Sequence, residues 1–427
     1  MNGCRALVGI GAIPAARGSR QSLLAVLLAL ALLALAPAAA GARVAPPPPL
    51  AAQAAAVLES STATPLFGRA ADQRRLIAST TKMMTALVTA ASARLDRVCT
   101  APPYPAGPLE VTIHLRPGER MRVSDLLRAM LLPSANDAAA TLAACVAGSR
   151  AAFVARMNAR ARQLGLRHTH FSTPVGLDTP GNYSSADDLA RLAIAVRGDG
   201  FLRHTVAAPR AVLHSGDHLR IVVNRNALVR EVPWVDGVKT GHTNAAGDIL
   251  AASGTQGGVT YVATVLGDPS EGAAAADALA LLKWAFASFR VQTPVRRGAV
   301  YARPAVKLEP DRHVDVVAEG SARVVLARGA RLRLVVAVPR VLAGPLPARR
   351  VVGSVTVRAN GRALARVPLV TRVAVPKVGV LAQLGHALAG PGSLVAIAAL
   401  LGAVGAVLVR ARAARRRERR RADMETA

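Results

Sequence analysis

Three short clusters carry side chains suited to acyl chemistry. Ser79-Thr80-Thr81-Lys82 sets a hydroxyl and an amine three residues apart, a spacing that shares one face of a helix. A serine hydroxyl is a weak nucleophile until a neighbour takes its proton. Lysine can take it when burial or nearby positive charge depresses its pKa; arginine cannot, because it stays protonated in proteins. The chain has 54 Lys and Arg residues, yet only Lys82, Lys239, Lys283, Lys307 and Lys377 are lysine. Both motif positions that call for an amine have one, a coincidence expected about once in a hundred if the two cations were interchangeable.

The second cluster is Ser134-Ala135-Asn136 and the third is Lys239-Thr240-Gly241, followed by His242. Ser134 is suited to relay a proton between Lys82 and a leaving amine. Asn136 is suited to hold the Lys82 side or a substrate amide. Lys239 offers a positive charge and Thr240 a hydroxyl to a substrate carboxylate. Gly241 lets a substrate backbone come close. The backbone N–H of His242, with that of Ser79, can form an oxyanion hole. Alone, a Ser-x-Asn is more often a helix N-cap and a Lys-Thr-Gly carries little weight; the ordered set carries the signal. No metal and no cofactor is expected in this chemistry.

These side chains need elements to hold them. Ala51 to Gly68 reads as a strand pair turning at Glu59-Ser60-Ser61-Thr62, and Ser79 to Ala93 as a helix. Ser124 is the expected N-cap of a helix over Asp125 to Leu132. Helices are expected over Asp137 to Val146, Arg150 to Leu164 with Gly165 ending it, and Ser185 to Arg197. His218 to Val223, Val238 to Thr240, Ile249 to Ser253 and Val259 to Gly267 read as strands, and Glu271 to Ser288 as a helix. Strands at both ends with helices between them give an α+β class: an antiparallel sheet flanked by helices. Residues 291–375 hold only short strand-like runs, such as Arg331 to Val338 and Ser354 to Val357, and read as a small all-β domain.

The two ends fix the expected compartment. Arg5, Arg17 and Arg20, the apolar Leu23 to Leu35 and then Ala38-Ala39-Ala40 read as a signal peptide over residues 1–40. A Pro-rich spacer occupies 41–50, a catalytic domain 51–290 and a linker 376–388. Ser393 to Val409 has no charged side chain, and residues 389–409 are long enough for a transmembrane helix. The arginines that follow form a basic tail over 410–427, expected on the cytoplasmic side. That makes a single-pass protein of the cell membrane with its catalytic domain extracytoplasmic. Cys99 and Cys145 remain after cleavage and have the option of pairing. The formal charge of +29 is scattered and no nucleic-acid motif accompanies it, so no nucleic-acid partner is expected.

The ordered set of clusters resembles that of penicillin-binding proteins and class A β-lactamases, here with Ala135 where an aspartate is usual. Longer blocks sharpen the likeness: Ala78-Ser79-Thr80-Thr81-Lys82-Met83-Met84-Thr85, Gly118-Glu119, Ser134-Ala135-Asn136-Asp137-Ala138, Phe171-Ser172-Thr173-Pro174-Val175-Gly176-Leu177 and Asp236-Gly237-Val238-Lys239-Thr240-Gly241-His242-Thr243. With them the stretch from Ala54 to Phe289 is similar to the D-alanyl-D-alanine carboxypeptidases, the low-molecular-weight penicillin-binding serine DD-peptidases. The Pro-rich Arg94 to Pro108 and the stretch Arg230 to Trp234 fit the pattern loosely. The resemblance implies a DD-peptidase/β-lactamase-like fold, Ser79, Lys82 and Ser134 as catalytic residues, and Asn136, Lys239, Thr240, Gly241 and His242 as substrate contacts. It implies peptidoglycan stem peptides ending in D-Ala-D-Ala as substrate, β-lactams as covalent inhibitors and the membrane as a further partner. A class A-like β-lactamase, a DD-endopeptidase and a non-catalytic wall-binding protein are the alternatives. The first needs a deacylating glutamate after the second cluster, and Glu231 is the only glutamate between Asn136 and Lys239. The last leaves Ser79 and Lys82 without a purpose.

Overall fold

The computed structural model describes residues 44–108, 110–377, 379, 383 and 391–425. The expected signal peptide and most of the linker lie outside the described residues.

In the first part of the chain, strands β1 (Ala54–Glu59) and β2 (Thr64–Arg69) form the expected hairpin. The Glu59 carboxylate closes its turn, accepting from the backbone N–H and hydroxyl of both Ser61 and Thr62. A 3₁₀ turn, Ala78–Thr81, leads into α1 (Lys82–Ser92). Strands β3 (Val98–Thr100) and β4 (Arg120–Arg122) bracket the Pro-rich stretch, and α2 (Val123–Leu131), α3 (Asn136–Ala147) and α4 (Arg150–Gln163) follow. Helix α5 (Ala186–Gly198) is capped by the Ser185 hydroxyl. Next come α6 (Gly200–Ala207), the hairpin β5 (Arg210–Leu213) and β6 (Arg220–Val223), and α7 (Ala227–Glu231). The long strands β7 (Val235–Thr243), β8 (Gly247–Gln256) and β9 (Val259–Asp268) lead to α8 (Glu271–Ser288).

The main sheet is antiparallel, in the order β2-β1-β9-β8-β7. Helix α5 packs on β1 and β9 from one side, and α8 packs on β8 and β9. Both faces are therefore covered, and all six residues of β1 are buried. Leu281 and Leu282 of α8 are fully buried against Val57, Tyr261 and Val265, each such leucine contributing roughly 1.5–3 kcal/mol.

Two expectations about helix starts need correction. Ser124 is not an N-cap: α2 begins at Val123 with Arg122 in the cap position and no side-chain cap. The start is fixed instead by Asp125 in its first turn, whose carboxylate accepts from the His214 and Ser215 backbone N–H groups and the Ser215 hydroxyl. The first cluster is not a continuous α-helix either, because the serine sits in the tighter 3₁₀ turn ahead of α1.

Residues 291–375 contain the expected small all-β region with its own core of Val295, Val316, Val324, Leu326, Val355, Val357 and Leu369. Its largest sheet has five strands, the longest of them 351–359 and 362–371. A final helix, α9 (Pro391–Glu425), spans the apolar stretch and continues without a break through the arginines. It is the one helix among the described residues that is by itself long and apolar enough to cross a membrane.

Candidate active site

The first cluster is held under strain. Ala78 has φ +44°, a conformation disfavoured for a residue with a Cβ. It turns the chain so that Ser79 starts the 3₁₀ segment, while Lys82 opens α1 from a fully buried position. The Lys82 Nζ lies 2.9 Å from Ser79 Oγ and donates to the Val175 carbonyl at 2.6 Å. The next residue, Gly176, has φ +90°, and a Cβ there would collide with the Ala78 carbonyl oxygen, so only glycine lets this loop close over the lysine. Burial, then the charges of Lys239 and Arg225, push the Lys82 pKa well below the ordinary lysine range; Glu110 and Asp137 oppose them.

Between α2 and α3, Ser134 is buried at φ +76°, and its Oγ has no hydrogen-bond partner among the described residues. A buried unpaired hydroxyl costs stability, and strain of this kind gathers at functional sites. Asn136 follows at the start of α3. Its Nδ2 donates to Glu110 Oε2 at 2.6 Å. The segment carrying Glu110 is fastened to the same helix. Val111 accepts the Asn136 N–H at 2.7 Å, and the Asp137 carboxylate accepts from Ile113 and Leu115.

The third cluster lies on β7, the edge of the main sheet. Its free side faces the serine turn: a Cβ on Gly241 would stand 3.1 Å from the Ile77 carbonyl and 3.3 Å from Ser79 N. Lys239 is buried, donates to the Thr240 carbonyl at 3.0 Å and has its pKa pushed down to about 7, by burial first and Arg225 second. The strand is pinned at its start by Asp236, which pairs with Arg197 of α5 at 2.7 Å and accepts from Ser253 and Thr255. At its far end the exposed His242 ring stands 3.1 Å from Asp248.

A cleft of about 1220 Å³ joins the three clusters, with Ser79, Ser134, Asn136, Thr240, Gly241 and His242 on its wall. Lys82 and Lys239 stand buried behind Ser79 and Thr240. The structure thus brings all eight expected residues into one place. It adds Glu110 and Arg225, which line the cleft, and Tyr104, which donates to Glu110. Sequence reasoning missed these three. Tyr104 falls in the Pro-rich stretch and Glu110 just beyond it, where no periodicity assigns a place, and one more arginine gives no signal in so basic a chain.

The family model for D-alanyl-D-alanine carboxypeptidase matches residues 41–270, more than half of the chain. The chain is 32% identical to the D-alanyl-D-alanine carboxypeptidase DacA of Escherichia coli over 324 residues, covering 72% of this chain and 79% of that protein. It is 28% identical to DacF of Bacillus subtilis, covering 75% and 85%. Among solved structures, penicillin binding protein 5 of Haemophilus influenzae superposes with a TM-score of 0.68 at 27% identity, over 78% of this chain and 99% of that one. Penicillin binding protein 6B of Escherichia coli does so with a TM-score of 0.64 at 28% identity, over 77% and 98%. On the family match and these relatives, the chain belongs to the D-alanyl-D-alanine carboxypeptidase family.

Proposed function

We propose that this serine carboxypeptidase removes the terminal D-Ala of peptidoglycan stem peptides through an acyl-enzyme on Ser79. Neutral Lys82 takes the Ser79 proton as Oγ attacks the carbonyl of the penultimate D-Ala. The oxyanion forms against the backbone N–H groups of Ser79 and His242. Ser134 passes the proton from Lys82 to the departing amine, and terminal D-Ala leaves. Water then hydrolyses the ester and restores Ser79. Lys239 and Thr240 hold the terminal carboxylate, Gly241 lets the substrate backbone lie along the edge of β7, and Asn136 meets a substrate amide.

The observation that carries this reading is the 2.9 Å contact between Ser79 Oγ and a buried amine whose surroundings favour its neutral form. A β-lactam, with a strained amide and a carboxylate, fits the same place, and its tethered leaving group hinders water. Incubation of the purified protein with a D-Ala-D-Ala-ended peptide should release free D-Ala. Benzylpenicillin should add one penicilloyl mass, which Ser79→Ala abolishes. An adduct on Ser134 would overturn the choice of nucleophile, and steady penicillin hydrolysis with rapid recovery would favour a β-lactamase.

The finer placement belongs to the same proposal. Helix α9 is read as a single transmembrane tether, with the catalytic domain outside the cytoplasm and the arginine tail inside. Residues 51–290 are read as the catalytic domain and 291–375 as a β domain between it and the membrane linker.

A further inference from the structure

Glu110 is a cleft carboxylate hydrogen-bonded to Asn136 of the second cluster. Its Oε2 accepts from the Tyr104 hydroxyl and from Asn136 Nδ2 at 2.6 Å, and its Oε1 accepts from the Gly107 N–H at 3.1 Å. An ionised carboxylate only accepts hydrogen bonds. The Asn136 amide must therefore turn its NH₂ to Glu110. We propose that Glu110 is a positioning residue: with Tyr104 it fixes the orientation of the Asn136 amide on the wall of the cleft, and it sets a fixed negative charge near the Lys82–Ser79 pair. The proposal deepens the catalytic reading above and rests on it.

Two observations separate this role from that of a deacylating base. A general base works best with a pKa near the working pH. Burial raises the Glu110 pKa, but the hydrogen bonds from Tyr104, Asn136 and Gly107, with the charge of Lys82, outweigh it and leave it below the ordinary value. The carboxylate is also held in place on both oxygens, with three donors already on it. It is thus a weak base and a rigid acceptor.

The charges that bear on Lys82 are Lys239 and Arg225, which favour the neutral amine, and Glu110 and Asp137, which favour the ammonium. Glu110→Gln removes one of the two restraining charges. The acid limb of acylation, set by protonation of Lys82, should then move to lower pH. Tyr104→Phe keeps the carboxylate and loses one of its donors, so its acid limb should stay near that of the parent. A lost charge-assisted hydrogen bond is worth roughly ten- to a hundredfold in rate where the transition state uses it. Glu110→Gln should lose about that much in kcat/KM for the peptide.

The test is benzylpenicillin acylation and peptide kcat/KM against pH on the full-length protein in detergent, for parent, Glu110→Gln and Tyr104→Phe. Thermal unfolding checks that each variant is folded, and Tyr104→Phe against parent remains informative if Glu110→Gln is not. A lower acid limb in Glu110→Gln alone supports the proposal. It is overturned if neither variant changes rate or limb, or if Tyr104→Phe moves the limb to lower pH. It is also overturned if Glu110→Gln acylates as the parent does but accumulates acyl-enzyme, since Glu110 would then be the deacylating base. Loss of the adduct in Ser79→Ala is read separately, so failure here is distinguishable from failure of the nucleophile assignment.

Discussion

Lys82 and Lys239 are both fully buried, and both are surrounded so as to weaken their hold on a proton. Their tasks differ in sign. As the proposed base, Lys82 works as the neutral amine, so its contribution is lost as pH falls. In the proposed function Lys239 works as the cation that meets the substrate carboxylate. With its pKa at about 7 in the free protein, that charge is present below neutrality and is lost as pH rises through that value. We therefore expect kcat/KM for a carboxylate-ended peptide to fall on the alkaline side near neutral pH. Lys239→Ala should flatten that limb and remove the preference for a peptide acid over its amide. A variant that loses activity yet keeps the acid preference would show that another cation, such as Arg225, holds the carboxylate.

At the scale of elements, the second cluster is stitched to the strand that precedes it in the chain. Cys99 of β3 is bonded to Cys145 of α3, closing a loop of 46 residues that contains Tyr104, Glu110, Ser134 and Asn136. By the chain-entropy model a closure of that length stabilises the fold by up to roughly 4 kcal/mol. Replacing both cysteines by alanine should lower unfolding stability by roughly 2–4 kcal/mol, read from denaturant unfolding. The midpoint should then match that of the reduced parent. An unchanged midpoint would mean that the surrounding hydrogen bonds, from Asn136 N–H to Val111 and from Ile113 and Leu115 N–H to Asp137, hold the segment by themselves.

The whole molecule divides its charge unevenly. Between 291 and 375 there are sixteen Arg and Lys against four Asp and Glu, whereas 51–290 has twenty-five against eighteen. The β region that precedes α9 thus carries a denser excess than the region before it, and the arginines after α9's apolar stretch add to it, so attraction to an anionic surface competes with insertion as the cause of membrane association. Salt separates the two, because it screens charge and leaves an inserted apolar helix in place. The full-length protein should stay with membranes through a high-salt wash. Removal of residues 389–427 together with residues 1–40 should give a soluble, active enzyme. Release of the full-length protein by salt alone would show that charge, not α9, holds it.

Much of this protein is legible in its order of residues. The hairpin at Ala54, the helix over Glu271 to Ser288 and the apolar run ahead of the arginines follow from local pattern, because burial on one face imposes a period that the sequence must carry. The eight residues of the three clusters could be named for the same kind of reason: each reactive side chain needs a particular chemical type, and lysine stands out in a chain that otherwise uses arginine. Other features are fixed only by contacts between segments distant in sequence. Ser79 sits in a 3₁₀ turn because Gly176, nearly a hundred residues on, leaves room against Ala78. Asp125 replaces the expected Ser124 cap because the hairpin at Ser215 supplies donors to it. Glu110 and Tyr104 enter the site because Asp137 and Asn136 capture the backbone of a segment with no periodicity of its own. Local sequence sets which groups are available; tertiary packing decides which way Asn136 turns and which charges face Lys82, because a carboxylate acts on an amide or an amine through distance in space and not through spacing along the chain.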